Sequence, residues 1–330
     1  MTGTLAPLAE SFFTQRLIGQ RHASPHTVAS YRDTFRLLFC FAQRQVGKPP
    51  AKLDVADLDA PLIGRFLDHL ETERHNSART RNNRLAAIHS LFAYAALRHP
   101  EHAGLIQRVL AIPAKRTDRQ LVSFLTADEI EALLAAPDRD TWIGRRDHAL
   151  LLVAIQTGLR VAELTGLCCR DIELRAGAHL CCHGKGRKER VTPLTPETTA
   201  VLRVWMTERH GQPDNPLFPS VRGGRLSSDA VTALVDRHVD TATARCSTLA
   251  TKTVSPHVLR HTCAMRLLAA GIDTSVIALW LGHESVETTQ IYLHADLAIK
   301  ERALARIAPT GTAPGRYRPP DTLLAFLESL

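Results

Sequence analysis

The stretch LGHESVETTQIYLH, residues 281–294, sets Tyr292 nine residues after His283. In a chain with only 4 tyrosines and 5% aromatic residues, the placement invites two readings. A tyrosine on a short helix is ordinarily a core ring with a satisfied hydroxyl. It is also a hydroxyl nucleophile, weak at its ordinary pKa near ~10 and dependent on proton removal or an electropositive pocket. The choice rests on whether the rest of the chain supplies such a pocket.

Three upstream stretches supply candidates. SPHVLRH (255–261) starts a helix at Pro256 and sets His257 and Arg260 on one face at i,i+3. GKGRKER (184–190) carries Lys185 in a tight turn between two strand-like segments, and TGLRVAEL (157–164) carries Arg160 just after a helix-ending glycine. Singly, each has an ordinary explanation as a cap, a surface ion pair or a solvated face. HVLRH also offers histidines at i,i+4, but a zinc protease needs Glu after the first His, where this chain has Val258. Taken together, the inventory is two arginines, a lysine, two histidines and a tyrosine. Two guanidiniums can grip the non-bridging oxygens of a phosphodiester and stabilise the charge that grows in transfer. A lysine or histidine can protonate the leaving alkoxide. No cluster of carboxylates offers to hold magnesium, so the chemistry that fits is metal-free phosphoryl transfer to tyrosine.

Composition agrees with a polyanionic partner. The 330 residues are long enough for about two domains, with 45% hydrophobic and 22% charged residues. The net charge of +8 is uneven: residues 1–120 hold 17 basic against 10 acidic side chains, the remainder 24 against 23. A basic first third joined to a near-neutral remainder points to nucleic acid. The 7 cysteines include two adjacent pairs, Cys168–Cys169 and Cys181–Cys182. Adjacent residues on a strand point to opposite faces, a poor arrangement for one metal, so we expect reduced, mostly buried thiols. MTGTLAPLAE lacks the basic and apolar regions of a secretory signal, and the aliphatic run ALLLVAI (149–155) is far too short to span a bilayer. The expectation is a cytoplasmic protein with no membrane partner.

The fold expected from patterning is mainly α with a small antiparallel β-sheet. Helical periodicity runs through residues 8–45, with Ser24 as N-cap and Pro25 at the first helical position of one long helix. Further helices are predicted over 59–73 and 77–97, the latter with an arginine-rich first half. Thr126 and Glu129 form a capping box, and a long apolar helix ends at Gly158. Short alternating segments near 171–174, 178–183 and 189–193 read as the sheet, after which helices return.

These motifs, in this order and spacing, resemble the tyrosine recombinase (phage integrase) family, in particular its Xer-like and transposon-encoded site-specific integrases. The family signature falls on Arg160, Lys185, His257, Arg260, His283 and Tyr292, and the likeness extends over roughly residues 8–308. The resemblance implies a two-domain C-shaped DNA clamp. Residues 1–112 would be a SAM-like helical core-binding domain, 113–125 a linker, 126–308 the catalytic domain and 309–330 a linker with a C-terminal tail helix. It implies that Tyr292 is the nucleophile forming a 3′-phosphotyrosine and that Arg160 and Arg260 clamp the phosphate. Lys185 would protonate the leaving 5′-oxygen, His257 give acid–base support, His283 bond the phosphate oxygen and Glu163 buttress the site. No cofactor, metal or ATP is implied. The implied partners are a double-stranded DNA recombination site and other recombinase protomers, two per site and four in synapsis. Arg79, Arg81 and Arg84 are the candidates for DNA contacts. The tail APTGTAPGRYRPPDTLLAFLESL, beginning at Ala308, favours a mobile-element enzyme over chromosome-dimer resolution. A non-catalytic DNA-binding regulator on this fold would be expected to lack one of the six residues, and all six are present. A type IB topoisomerase shares the chemistry, but the Xer-like first third and the tail argue against it.

Overall fold

The computed structural model describes residues 5–117, 122–183, 189–283, 287–290 and 292. The chain divides into two compact units, Met1–Arg119 and Gln120–Leu330. Lys185 and the tail from residue 309 lie outside the described residues.

In the first unit the described residues form α1 (Leu5–Ser11), a π-helical segment (Phe12–Gln20), α2 (Pro25–Val46), α3 (Ala60–Thr72), α4 (Ala78–Ala96) and α5 (Ala103–Leu110), with short 3-10 turns between. Side-chain caps start the long helices. Ser24 accepts from the Thr27 N–H, Asp59 from Leu62 and Ser77 from Thr80, each satisfying an amide that the helix itself cannot. The helical periodicity over 8–45 is interrupted before Pro25, because a residue preceding proline is disfavoured in helical backbone; Ser24 is extended, with ψ 152°. Phe12 anchors the core, its ring centre 5.5–6.3 Å from those of Phe13, Tyr31, Phe35 and Tyr94. Leu38, Ile63, Phe66 and Ile88 complete the same cluster. Each such side chain contributes about 1.5–3 kcal/mol relative to exposure, so the unit has a core of its own.

The second unit comprises α6 (Ala127–Ala135), α7 (Trp142–Thr157), α8 (Val161–Gly166), β1 (Ile172–Glu173), β2 (His179–His183), β3 (Glu189–Pro193), α9 (Pro196–Arg209), α10 (Ser228–Thr243), α11 (Pro256–Ala269), α12 (Thr274–Leu281) and α13 (Glu287–Gln290). The strands form one antiparallel sheet in the order β1-β2-β3, with Leu180 opposite Thr192 and Cys182 opposite Arg190. α7 is buried on every side from Arg146 to Ile155, which makes it the central helix, packed by α9 and α11. The capping box of α6 is made as expected, and Glu129 also accepts from Thr248 and Lys252. All seven cysteines are free. A smaller cluster on α11 and α12, formed by Cys263, Ala264, Met265, Leu268, Ile277 and Leu281, encloses the ring of Tyr292. Among the described residues no helix is long and apolar enough to cross a membrane.

Candidate active site

The site is built where α7 ends, α8 begins and the start of α11 meets the end of α12. Gly158 closes α7 in left-handed backbone, with φ 63°, and a Cβ there would stand 2.6 Å from Leu281 Cδ2. Only glycine serves both the turn and the close approach. Its carbonyl accepts from Arg260 Nη1 at 2.7 Å, while Arg260 Nη2 donates to Leu281 O at 2.7 Å. Arg260 is 3% exposed and is held by carbonyls rather than by a carboxylate. Burial, then the neighbouring Arg160, bring its pKa down to about 10, still far above neutrality.

Arg160 caps α8. Its Nη1 donates to Glu163 Oε1 at 2.9 Å and its Nη2 to Gly282 O at 2.9 Å. Glu163 also accepts the Arg160 backbone N–H at 2.8 Å and two bonds from Arg190 of β3, at 2.9 and 3.1 Å. Burial pushes the Glu163 carboxyl up, but these donors outweigh it and hold its pKa below the ordinary value. One buried carboxylate thus orients two guanidiniums by charge-assisted bonds. Gly282, with φ 64°, ends α12 where a Cβ would lie 2.6 Å from Arg190 Nη1. Glu163 thus pairs with Arg160 and Arg190 while Arg260 has carbonyl partners alone, and the excess positive charge suits an anion such as a phosphodiester.

The histidines and Tyr292 line the other side. His257 and His261 stand one turn apart on α11, their rings T-shaped with centres 4.3 Å apart. His283 follows Gly282 and bonds Thr289 Oγ1 through Nδ1 at 2.8 Å. Tyr292 is 1% exposed; its N–H donates to Thr289 O, its ring stacks on His283 at 6.4 Å, and its hydroxyl lies 3.0 Å from His261 Nδ1. Burial pushes the Tyr292 phenol up to about 12, partly offset by Arg260 and Arg160. Burial likewise takes His261 and His283 down to about 4, with further contributions from neighbouring histidine and arginine charge. At the exposed rim, the burial His257 has, then Arg260 and Arg160, lower its pKa as well. The phenol is therefore protonated and the imidazoles neutral at pH 7. Among the described residues, no group of three or more His, Cys, Asp or Glu side chains is placed to hold a metal ion.

The structure thus brings Arg160, His257, Arg260, His283 and Tyr292 to one place. Residues 123–298 match the model of the "Phage integrase family", and residues 11–99 match the "Phage integrase, N-terminal SAM-like domain". The chain belongs to the phage integrase family. It is 59% identical over 99% of its length, and 98% of the relative's, to a Sinorhizobium fredii protein that carries an integrase/recombinase name, y4rC. It is 36% identical to a tyrosine recombinase XerC of Pelobacter propionicus, covering 89% of this chain and 93% of that one. The fold is shared with the XerH site-specific recombinase solved on a palindromic difH substrate, at TM-score 0.70 and 23% identity over 87% of this chain and 81% of XerH. This phage integrase family member is accordingly a tyrosine-type site-specific recombinase, with a SAM-like helical domain ahead of its catalytic domain.

In the first unit of the recombinase the three candidate DNA-contact arginines are differently exposed. Arg81 is buried, because it shares a face of α4 with Leu85, Ile88 and Phe92. Its Nη1 donates to Pro113 O and Asn82 Oδ1, and Asn82 in turn bonds both backbone groups of Lys115. Arg81 ties residues 113–115 to α4 and is 6% exposed. Arg79 is exposed, and Arg84 is half-buried with Nε and Nη1 lacking hydrogen-bond partners. Sequence reasoning also missed Arg190 and His261. Arg190 closes the GKGRKER motif, where strand alternation gives it a definite face, and His261 lies one helical turn after His257 in HVLRH.

Proposed function

We propose that this recombinase cuts and rejoins duplex DNA through a covalent 3′-phosphotyrosine on Tyr292, with no metal or ATP. The observation that carries the reading is the phenol of Tyr292 within electrostatic reach of Arg260 and Arg160, in a site whose guanidiniums outnumber its one carboxylate. Arg160 and Arg260 exchange their carbonyl partners for the non-bridging oxygens of the scissile phosphate. His283 bonds a phosphate oxygen, His257 gives acid–base support at the rim, and Lys185 protonates the leaving 5′-oxygen. The ester energy is kept in the protein–DNA link, so rejoining needs no nucleotide. Because Tyr292 is buried, attack requires DNA engagement to open its cover.

The proposed partner is a double-stranded recombination site, with Arg79 and Arg84 on the sugar–phosphate backbone. Buried guanidinium nitrogens without partners, as on Arg84, are costly until an acceptor such as a phosphate meets them. Two protomers occupy a site and four form the synapse; the palindromic substrate of XerH supports the first number, since a palindrome mirrors a protein two-fold. The proline-rich tail and the integrase/recombinase name of the S. fredii relative support a mobile element as the source. A nicked duplex that loses its 5′-hydroxyl fragment after cleavage tests the chemistry. It should trap an SDS-stable protein–DNA adduct whose linkage is a phosphotyrosine.

A further inference from the structure

His261 is absent from the proposed set of six catalytic residues, yet its Nδ1 lies within hydrogen-bond distance, 3.0 Å, of the hydroxyl of Tyr292. The phenolic O–H is buried and needs an acceptor, which a neutral imidazole supplies at Nδ1 when its proton is on Nε2. The other two histidines are placed differently. His283 has its Nδ1 on Thr289 and lies flat against the tyrosine ring, while His257 stands behind His261 at the rim.

We propose that His261 is a catalytic residue, the general base that takes the phenolic proton as Tyr292 attacks. The inference rests on Tyr292 being the nucleophile. As the Tyr292 Oη–P bond forms and the P–O5′ bond breaks, the phenolic proton passes to His261 Nδ1, and the leaving 5′-oxygen takes its proton from the general acid of the proposed function. On rejoining, the 5′-hydroxyl returns its proton to that general acid as it attacks the phosphotyrosine, and the departing tyrosine regains its proton from His261. In the DNA-free protein, burial above all, with Arg260 nearby, keeps the imidazole a weak base. A phosphodiester bound at Arg160 and Arg260 brings negative charge that offsets the guanidiniums, so the acceptor strengthens when substrate arrives. This keeps Tyr292 inert until DNA is bound.

The experiment compares His261→Asn, His261→Ala and Tyr292→Phe in the full chain, with single-turnover cleavage on the nicked duplex, gel-shift binding and thermal melting measured together. Asparagine keeps an acceptor near the place of Nδ1 but is not protonated. His261→Asn is expected to bind DNA and melt like wild type while forming adduct about 10²–10⁴-fold more slowly. Sulfur in place of the bridging 5′-oxygen needs no general acid, and it should leave this defect in place. If asparagine disturbs the fold, added imidazole should restore adduct formation by His261→Ala in a dose-dependent way. Cleavage by His261→Asn within tenfold of wild type, recovery on the thio substrate, or an imidazole-blind His261→Ala overturns the proposal. Adduct formation by Tyr292→Phe removes the nucleophile reading itself, a result distinct from all three.

Discussion

Glu163→Gln is the perturbation whose size the structure fixes best. The carboxylate receives four bonds, from the Arg160 N–H, Arg160 Nη1 and both Nη atoms of Arg190. A glutamine offers one carbonyl oxygen and turns an NH2 group toward the other donors, removing the charge that both guanidiniums share. Breaking a buried ion pair costs about 3–5 kcal/mol because the surviving charge stays buried. The Arg160 side chain is 37% exposed, so water recovers much of its part, whereas Arg190 at 12% has little recourse. The expected loss is therefore about 3 kcal/mol, at the low end of the range. For a unit of this size each kcal/mol moves Tm by about 2–4 °C, so the catalytic unit should melt about 6–12 °C lower at pH 7. The pH dependence has a definite sign. Because Glu163 has a lowered pKa in the folded state, its stabilisation is full above the unfolded carboxylate value near ~4.3 and disappears as pH falls through the folded one. The gap between wild type and variant should close on acidification. Calorimetry across pH 7 to 3 checks this, and a Tm shift under about 2 °C at pH 7, or a gap unchanged at low pH, would refute the argument.

Arg160→Ala or Arg260→Ala should each remove about 2.7–4 kcal/mol of transition-state stabilisation, or 10²–10³ in single-turnover cleavage. A change of tenfold or less would remove that residue from the phosphate clamp. Arg260→Ala should in addition lower Tm, since it leaves the Gly158 and Leu281 carbonyls buried without their donor. Cleavage should continue in EDTA, and a loss restored by magnesium would show that a metal does the work assigned to the guanidiniums. Gly282→Ala should cost about 1–2 kcal/mol through its left-handed backbone and displace Arg190 from Glu163; an unchanged melting profile would count against that strain.

Much of this site was legible because each residue sits beside a local signal. Glycines at 158 and 282 end helices, Ser255 and Pro256 begin one, and Arg160 and Glu163 lie three apart on a helix start. The helices over 59–73 and 77–97 and the three strands were readable for the same reason: caps and alternation are written in neighbouring residues. What was not readable depends on distant partners. The arginine-rich start of α4 offers Arg79, Arg81 and Arg84 alike as DNA-contact candidates, but Arg81 faces inward, where residues 113–115 return to cover it. Nothing local to Arg190 names Glu163 as its partner, 27 residues away. The bond between His261 and Tyr292 joins residues 31 apart, and helical spacing alone suggested only a neighbouring histidine.

The central claim is that the hydroxyl of Tyr292 becomes bonded to DNA. The direct measurement pairs wild type with Tyr292→Phe on the nicked duplex and reads SDS-stable adduct beside gel-shift affinity. Phenylalanine keeps the ring in its pocket of Cys263, Met265, Ile277 and Leu281 and removes only the oxygen. The account predicts an adduct with wild type, none with the variant, and DNA affinity unchanged, because binding comes mainly from phosphate contacts elsewhere. An adduct of undiminished yield from Tyr292→Phe would contradict it.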